Sequence, residues 1–120
     1  MFSAKWSIQE DGGLTAYVTE DSRPGEIMAQ SVMYPVLGQK PALRITRLDH
    51  GEYEELLLRL MIFKAQEMGI NSFYISAPDA NGAFLAGFGF KKELLDGHAV
   101  YFADERTLDM TSACHKGENK

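Results

Sequence analysis

The chain has 120 residues, of which 45% are apolar, and its 12 Lys and Arg stand against 17 Asp and Glu for a net charge of −5. This length suits one domain. The apolar share excludes wholesale disorder, and the negative charge argues against a nucleic acid or an anionic membrane as a partner. Cys114 is the single cysteine, so no internal disulfide can form. The sequence has neither a signal-like start nor an apolar segment of membrane-spanning length, which predicts a cytoplasmic protein.

The first half of the chain alternates apolar and polar residues, a pattern typical of strands. The predicted strands are Lys5–Gln9, Leu14–Glu20, Glu26–Tyr34 and Ala42–Leu48. Pro24 and Gly25 suit the two central positions of a type II turn, because proline fixes φ and glycine tolerates a positive φ. Pro35 has no amide hydrogen, so we expect it to end the third strand.

A long helix is predicted over Asp49–Gly69. Asp49 and Glu52 have the spacing of a capping box, and Gly69 provides a stop. Between them, apolar residues recur with helical spacing. Leu58, Ile62 and Phe63 widen the apolar face, which predicts that the helix is covered on more than one side.

The second half adds a buried strand, a short helix and a hairpin. The predicted elements are the strand Ile70–Ala77, the helix Ala80–Phe88 ending at Gly89, and the strands Phe90–Leu95 and His98–Asp104 joined by Asp96-Gly97. A strand, helix and strand over Ala42–Ala77 imply a parallel pair with a right-handed crossover. The predicted fold class is therefore α/β (α+β), with a mixed, mainly antiparallel sheet around a long central helix. It forms a single domain over 1–106, followed by a polar, flexible tail over 107–120.

This order of elements, together with the stretch from Ala77 to Lys92 and its Gly89-Phe90 junction, resembles the GCN5-related N-acetyltransferase (GNAT) superfamily. The resemblance covers roughly Leu14–Asp104. It implies an acyltransferase fold and acetyl-CoA or CoA as a ligand. Members normally carry two helices between their first and second strands, but only Asp11-Gly12-Gly13 lies there in this chain. The chain therefore resembles a short or degenerate member that lacks the two early helices.

The resemblance also implies a loop for the CoA pyrophosphate, of the form Gln/Arg-x-x-Gly-x-Gly/Ala, at the start of the long helix. The residues it marks as candidates for cofactor binding are Arg47, His50, Gly51 and Asn81. In this chain, however, His50 and Glu52 replace both small residues of the loop. Carboxylates also crowd the helix start, where a diphosphate would need positive potential; they belong to Asp49, Glu52, Glu54 and Glu55. The loop is therefore predicted to be degraded, although the same carboxylates would suit a cationic amine.

Proton transfer has no clear candidate in the sequence. In many members a tyrosine five residues before the Phe of Gly-Phe is the general acid, and Leu85 occupies that position here. In Ala42–Leu48 only Arg44 and Arg47 are charged, and because they are three apart we expect them on opposite faces of the sheet. No metal-ligand spacing is present. The catalytic residues stay unknown, and no metal site is predicted.

Three functions remain open. The favoured one is a non-catalytic, acetyltransferase-like module that binds a small molecule or a partner protein, because both the loop and the tyrosine are lost. The second is a compact N-acetyltransferase that transfers acetyl from acetyl-CoA to an amine. The third is a subunit whose function is assembly. Apolar strands without the two early helices further predict a homodimer with two-fold symmetry.

Overall fold

A seven-stranded sheet organises the chain in a computed structural model, which describes residues 2–36, 38, 41–76 and 81–109. The strands are β1 (Phe2–Ile8), β2 (Leu14–Glu20), β3 (Ile27–Val36), β4 (Ala42–Leu48), β5 (Phe73–Ile75), β6 (Lys91–Leu95) and β7 (His98–Ala103). The helices are α1 (Glu54–Glu67), between β4 and β5, and α2 (Gly82–Gly87), between β5 and β6. Across the sheet the strand order is β1-β2-β3-β4-β5-β7-β6.

The sheet is mixed, as predicted. Strands β4 and β5 run parallel, with Leu43 opposite Phe73 and Ile45 opposite Ile75. The other neighbouring strands described are antiparallel. A tight turn joins β1 to β2, in which the Gln9 amide donates to the Gly13 carbonyl (2.8 Å). The two early helices of the resembled fold are therefore missing from this connection, as the sequence predicted.

Both helices contribute to one core on one face of the sheet. The buried positions of α1 are Leu57, Leu58, Met61, Ile62 and Ala65, which recur at helical spacing and pack on the strands. From α2, Leu85 and Phe88 join the same core. Phe63 is half exposed, so the predicted widening of the apolar face holds for Leu58 but not for Phe63.

The start of α1 differs from the prediction. The helix begins at Glu54, and its N-cap residue, Tyr53, makes no capping bond with its side chain. The capping-box prediction is wrong because Asp49 is held by the sheet instead. Its carboxylate accepts from the Gln30 amide (2.9 Å), and its own amide donates to the Gln30 carbonyl (3.1 Å). Asp49–Tyr53 is therefore a loop between β4 and α1.

Of two predictions made from prolines in the first half of the chain, one is confirmed and one is wrong. Gly25 has φ +84°, and the Glu26 amide donates to the Arg23 carbonyl (3.1 Å), which confirms the type II turn. Pro35 does not end β3, since it lies opposite Leu43 and the pairing continues to Val36. Pairing of β3 with β2 ends earlier, so this part of β3 has one neighbour and tolerates proline as an edge strand does.

Residues just past the predicted domain boundary at residue 106 contact the core. The Asp109 amide donates to the Phe88 carbonyl (2.8 Å), and Leu108 packs partly buried against the core. The strand predicted over Ile70–Ala77 is the shorter β5. Its predicted last residue, Ala77, and the predicted first residue of the short helix, Ala80, lie outside the described residues. So do residues 110–120 of the predicted tail, which include Cys114.

Candidate functional site

Within the described residues, the pairing of the parallel strands β4 and β5 reaches Ile45 and Ile75, whereas β4 continues to Leu48. The last bond between them runs from the Ser76 amide to the Ile45 carbonyl (2.9 Å). Strand β4 continues through Thr46–Leu48, which has no partner on that side within the described part of the chain. The connections that follow β4 and β5 both leave from this edge. Ligand sites of open α/β sheets lie at the carboxyl ends of such strands, so this edge is the candidate site.

A bulge near the end of β4 decides where its charged side chains lie. Val32 of β3 pairs with Arg47, but Met33 pairs with Ile45, so Thr46 is an extra residue in β4. The alternation of faces is thereby reset. Arg44 and Arg47 lie on the same face of the sheet, away from α1, and the prediction of opposite faces is wrong.

Arg47 is already engaged by Asp49. Its Nε and Nη2 atoms donate to the two carboxylate oxygens of Asp49 at 2.8 and 3.2 Å. Burial alone would raise the pKa of Asp49, but the hydrogen bonds from Arg47 and from the Gln30 amide outweigh it and hold the pKa below its usual value. The guanidinium of Arg47 is half exposed, yet it is committed to a carboxylate on its own chain.

The loop after Asp49 brings a histidine beside a buried carboxylate. His50 Nδ1 lies 3.2 Å from Oε2 of Glu54, whose side chain is 10% exposed. Gly51 has φ +116°, and a Cβ placed on it would meet no atom within 4 Å. The first turn of α1 also contains Glu55. Negative charge here stabilises the helix through its dipole, but it occupies the region where a phosphate would bind.

Another carboxylate lies beside the start of α1. The Tyr53 hydroxyl donates to Oε2 of Glu20 at 2.7 Å, and this bond, with a smaller effect of burial, raises the pKa of Tyr53 to about 12. The bond ties the loop to the end of β2. The loop Asp49–Tyr53 is thus held at both ends by carboxylate contacts.

Asn81 caps the second helix. Its side-chain oxygen accepts from the Phe84 amide at 3.2 Å, so it is the N-cap of α2. The adjacent Gly82 lies against the side chain of Tyr101, a residue that the sequence did not single out as a site candidate. A Cβ on Gly82 would lie 2.5 Å from the Tyr101 hydroxyl oxygen. Tyr101 pairs with Ile75, the last residue of β5, and this pairing places its hydroxyl near the candidate site. The sequence alone does not reveal this pairing.

Of the predicted site residues, His50 and Gly51 lie together in the α1 loop. Arg47 precedes them in β4, with its side chain on the face of the sheet away from α1. Asn81 is the N-cap of α2, which follows β5. Leu85, which stands at the position of the general acid, is fully buried in the core. Among the described residues, no group of His, Cys, Asp and Glu could hold a metal ion, and no helix is long and apolar enough to cross a membrane.

Comparison with known proteins supports the fold. No family model and no curated protein matches the sequence. A structure from Desulfovibrio desulfuricans, described as a GNAT-family acetyltransferase, matches with a TM-score of 0.67 at 9% identity, over 87% of this chain and 99% of that chain. A GNAT-family acetyltransferase from Staphylococcus aureus Mu50 matches with a TM-score of 0.62 at 14% identity, over 77% and 67% of the two chains.

The N-acyl amino acid synthase FeeM, from uncultured soil microbes, has the same arrangement. It matches with a TM-score of 0.58 at 14% identity, over 82% of this chain and 75% of that chain. At these identities the likeness defines the fold. The chain has the fold of the GNAT acetyltransferases, and the fold resemblance predicted from the sequence is confirmed.

Proposed function

We propose that the chain is a binding module built on the acetyltransferase fold, whose α1 loop does not hold the pyrophosphate of acyl-CoA tightly. The observation that carries the proposal is the buried carboxylate of Glu54 in the first turn of α1. Its charge opposes a diphosphate at the helix start, where such a group needs amide hydrogens and positive potential. Arg47, which precedes the loop, is already paired with Asp49 and offers little compensation.

A compact N-acetyltransferase is the alternative, and one observation favours it. The described pairing of β4 with β5 reaches Ile45, and β4 extends three residues further, through Thr46–Leu48. The resemblance implies that the pantetheine arm of acetyl-CoA pairs with backbone in this region, and such pairing needs no particular side chain. In this alternative the acyl acceptor would be an amine, which suits the carboxylates around the loop.

Calorimetric titration with acetyl-CoA and with free CoA tests the proposal. We expect binding no tighter than the high micromolar range. Glu52 is exposed within the loop, so Glu52→Ala should tighten any binding by about two- to fivefold, as expected for one screened surface charge. Glu67→Ala, at the other end of α1, makes the same change in net charge and should leave the affinity unchanged. Low-micromolar affinity of the unmodified protein would contradict the proposal.

An activity measurement separates the two functions. The protein is incubated with acetyl-CoA and a panel of primary amines, and release of the CoA thiol is followed with a thiol reagent. The binding module should release thiol no faster than buffer with any amine. Amine-dependent release that increases with protein concentration would favour the N-acetyltransferase instead.

A further inference from the structure

The face of the sheet opposite α1 and α2, which we name the open face, has no helix on it within residues 2–36, 38, 41–76 and 81–109. The strand register places a band of aromatic and aliphatic side chains across it, namely Tyr17, Val32, Tyr34, Tyr74 and Phe102. Apart from Val32, which is buried, these side chains are partly exposed. A sheet face of this kind is normally packed against another layer.

The composition of the open face matches the centre of a protein interface. Interface centres are enriched in tyrosine, phenylalanine and arginine, and depleted in lysine, aspartate and glutamate. At its open-face positions, the central part of the sheet from β2 through β5 to β7 has Arg44 and Arg47 and no lysine or carboxylate. The lysines of this face, Lys5 and Lys91, lie on the outermost strands β1 and β6. Charge is thus confined to the rim, to Arg44 and to the ion pair of Arg47 with Asp49.

Several side chains on the open face are held in place before any association. The Tyr34 hydroxyl lies 3.0 Å from the amide oxygen of Gln9 and 2.9 Å from a carboxylate oxygen of Asp11. The rings of Tyr74 and Phe102 pack with their centroids 4.8 Å apart. Side chains ordered in this way lose less conformational entropy on binding, which favours a specific interface.

The open face is also large enough for a stable dimer. Seven strands about 4.8 Å apart and on average about six residues long make a face of about 34 by 21 Å, or roughly 700 Å². A standard stable interface buries about 800 Å² on each partner. A second copy of the same sheet therefore offers a surface of matching size and shape, since two sheets pack face to face at a small angle.

We infer that the open face is the interface of a two-fold homodimer. The remaining carboxyl-terminal segment of the chain is a poor alternative occupant. Residues 110–120 contain one large apolar side chain, that of Met110, among mostly polar residues. A two-fold interface needs one self-complementary patch, and the aromatic band with its arginines provides both partners of an arginine–tyrosine stacking contact. The inference of a dimer does not rest on the function proposed for the α1 loop.

Sedimentation velocity from 1 to 200 μM tests the inference. We expect a species of twice the chain mass of 13.4 kDa at tens of micromolar. Gln30→Lys and Tyr74→Lys each place two like charges in the centre of the interface, beside the positive charge of the arginines, and each should weaken the dimer at least 100-fold. Phe63→Lys, on the exposed side of α1, is the matched control and should leave the dimer intact. Circular dichroism checks that each variant is folded.

Hydroxyl-radical footprinting of the unmodified protein provides a test that does not depend on variants. Oxidation of Tyr17 and Tyr74 should fall at high protein concentration, whereas oxidation of Phe63 should not change. A mass of 13.4 kDa at all concentrations would overturn the inference. So would a dimer that survives both open-face substitutions, or one whose protected residues lie along β1 or β6, because sheets can also associate through edge strands.

Discussion

Substitution of Gly89 by alanine should destabilise the protein more than the same change at a comparable glycine. Gly89 follows α2 with φ +92°, and a Cβ there would lie 1.8 Å from the Thr107 carbonyl oxygen. Gly97, in the last hairpin, has φ +81° but nothing within 4 Å of its Cβ position. Both variants incur the cost of a left-handed conformation, about 1–2 kcal/mol. Only Gly89→Ala must also displace the backbone of Thr107.

The additional cost at Gly89 follows from what that displacement breaks. The bond from the Asp109 amide to the Phe88 carbonyl (2.8 Å) is lost, which costs about 1 kcal/mol. Leu108 also loses part of its burial, which costs about another 1 kcal/mol.

Urea denaturation followed by circular dichroism should therefore show Gly89→Ala about 2 kcal/mol less stable than Gly97→Ala, or roughly 8 °C lower in Tm. Equal losses in the two variants would refute the packing of Thr107–Asp109 against α2. The matched pair separates that packing from backbone strain, because both variants carry the strain.

Three further predictions concern the candidate site. Because the hydrogen bond to Glu20 raises the pKa of Tyr53 to about 12, it stabilises the fold below pH 10 and is lost as the pH rises from about 10 to 12; Tyr53→Phe should flatten Tm over that range. The pKa of Asp49 is lowered, so its contribution is complete at neutral pH and is lost as the pH falls below about 4; Asp49→Asn should weaken the dependence of Tm on acid pH. Asn81→Ala removes the acceptor for the Phe84 amide and should lower the unfolding free energy by about 1 kcal/mol, whereas Asn81→Ser should restore most of it in urea titrations.

Short-range patterns were sufficient for much of the fold. Strands β2 and β4 have the predicted bounds, because their alternation reflects a sheet with one buried face. The turn at Gly25 and the hairpin at Gly97 were predictable because a positive φ at these positions strongly favours glycine. A helix between two buried strands was enough to predict the parallel pair.

Other features depended on partners far along the chain. The capping box at Asp49 satisfied the local rule, but a backbone amide 19 residues earlier, that of Gln30, already holds its carboxylate. The bulge at Thr46 leaves no signal in an apolar and polar alternation, so the face occupied by Arg47 was predicted wrongly. The burial of Glu54 was missed for the same reason, since a glutamate in the first turn of a helix is usually solvated.

The bulge at Thr46 links the candidate site to the open face. Because it resets the alternation, Leu48 enters the core and leads the chain into the α1 loop, while Arg47 lies on the open face. The two surfaces therefore meet at the ion pair of Arg47 with Asp49, whose carboxylate also holds β3 through the Gln30 amide. Contacts that engage Arg47 on the open face would loosen its hold on Asp49 at the start of the loop. Any effect of dimerisation on ligand binding at the α1 loop should therefore be smaller in Asp49→Asn, because this variant removes the carboxylate charge that holds Arg47.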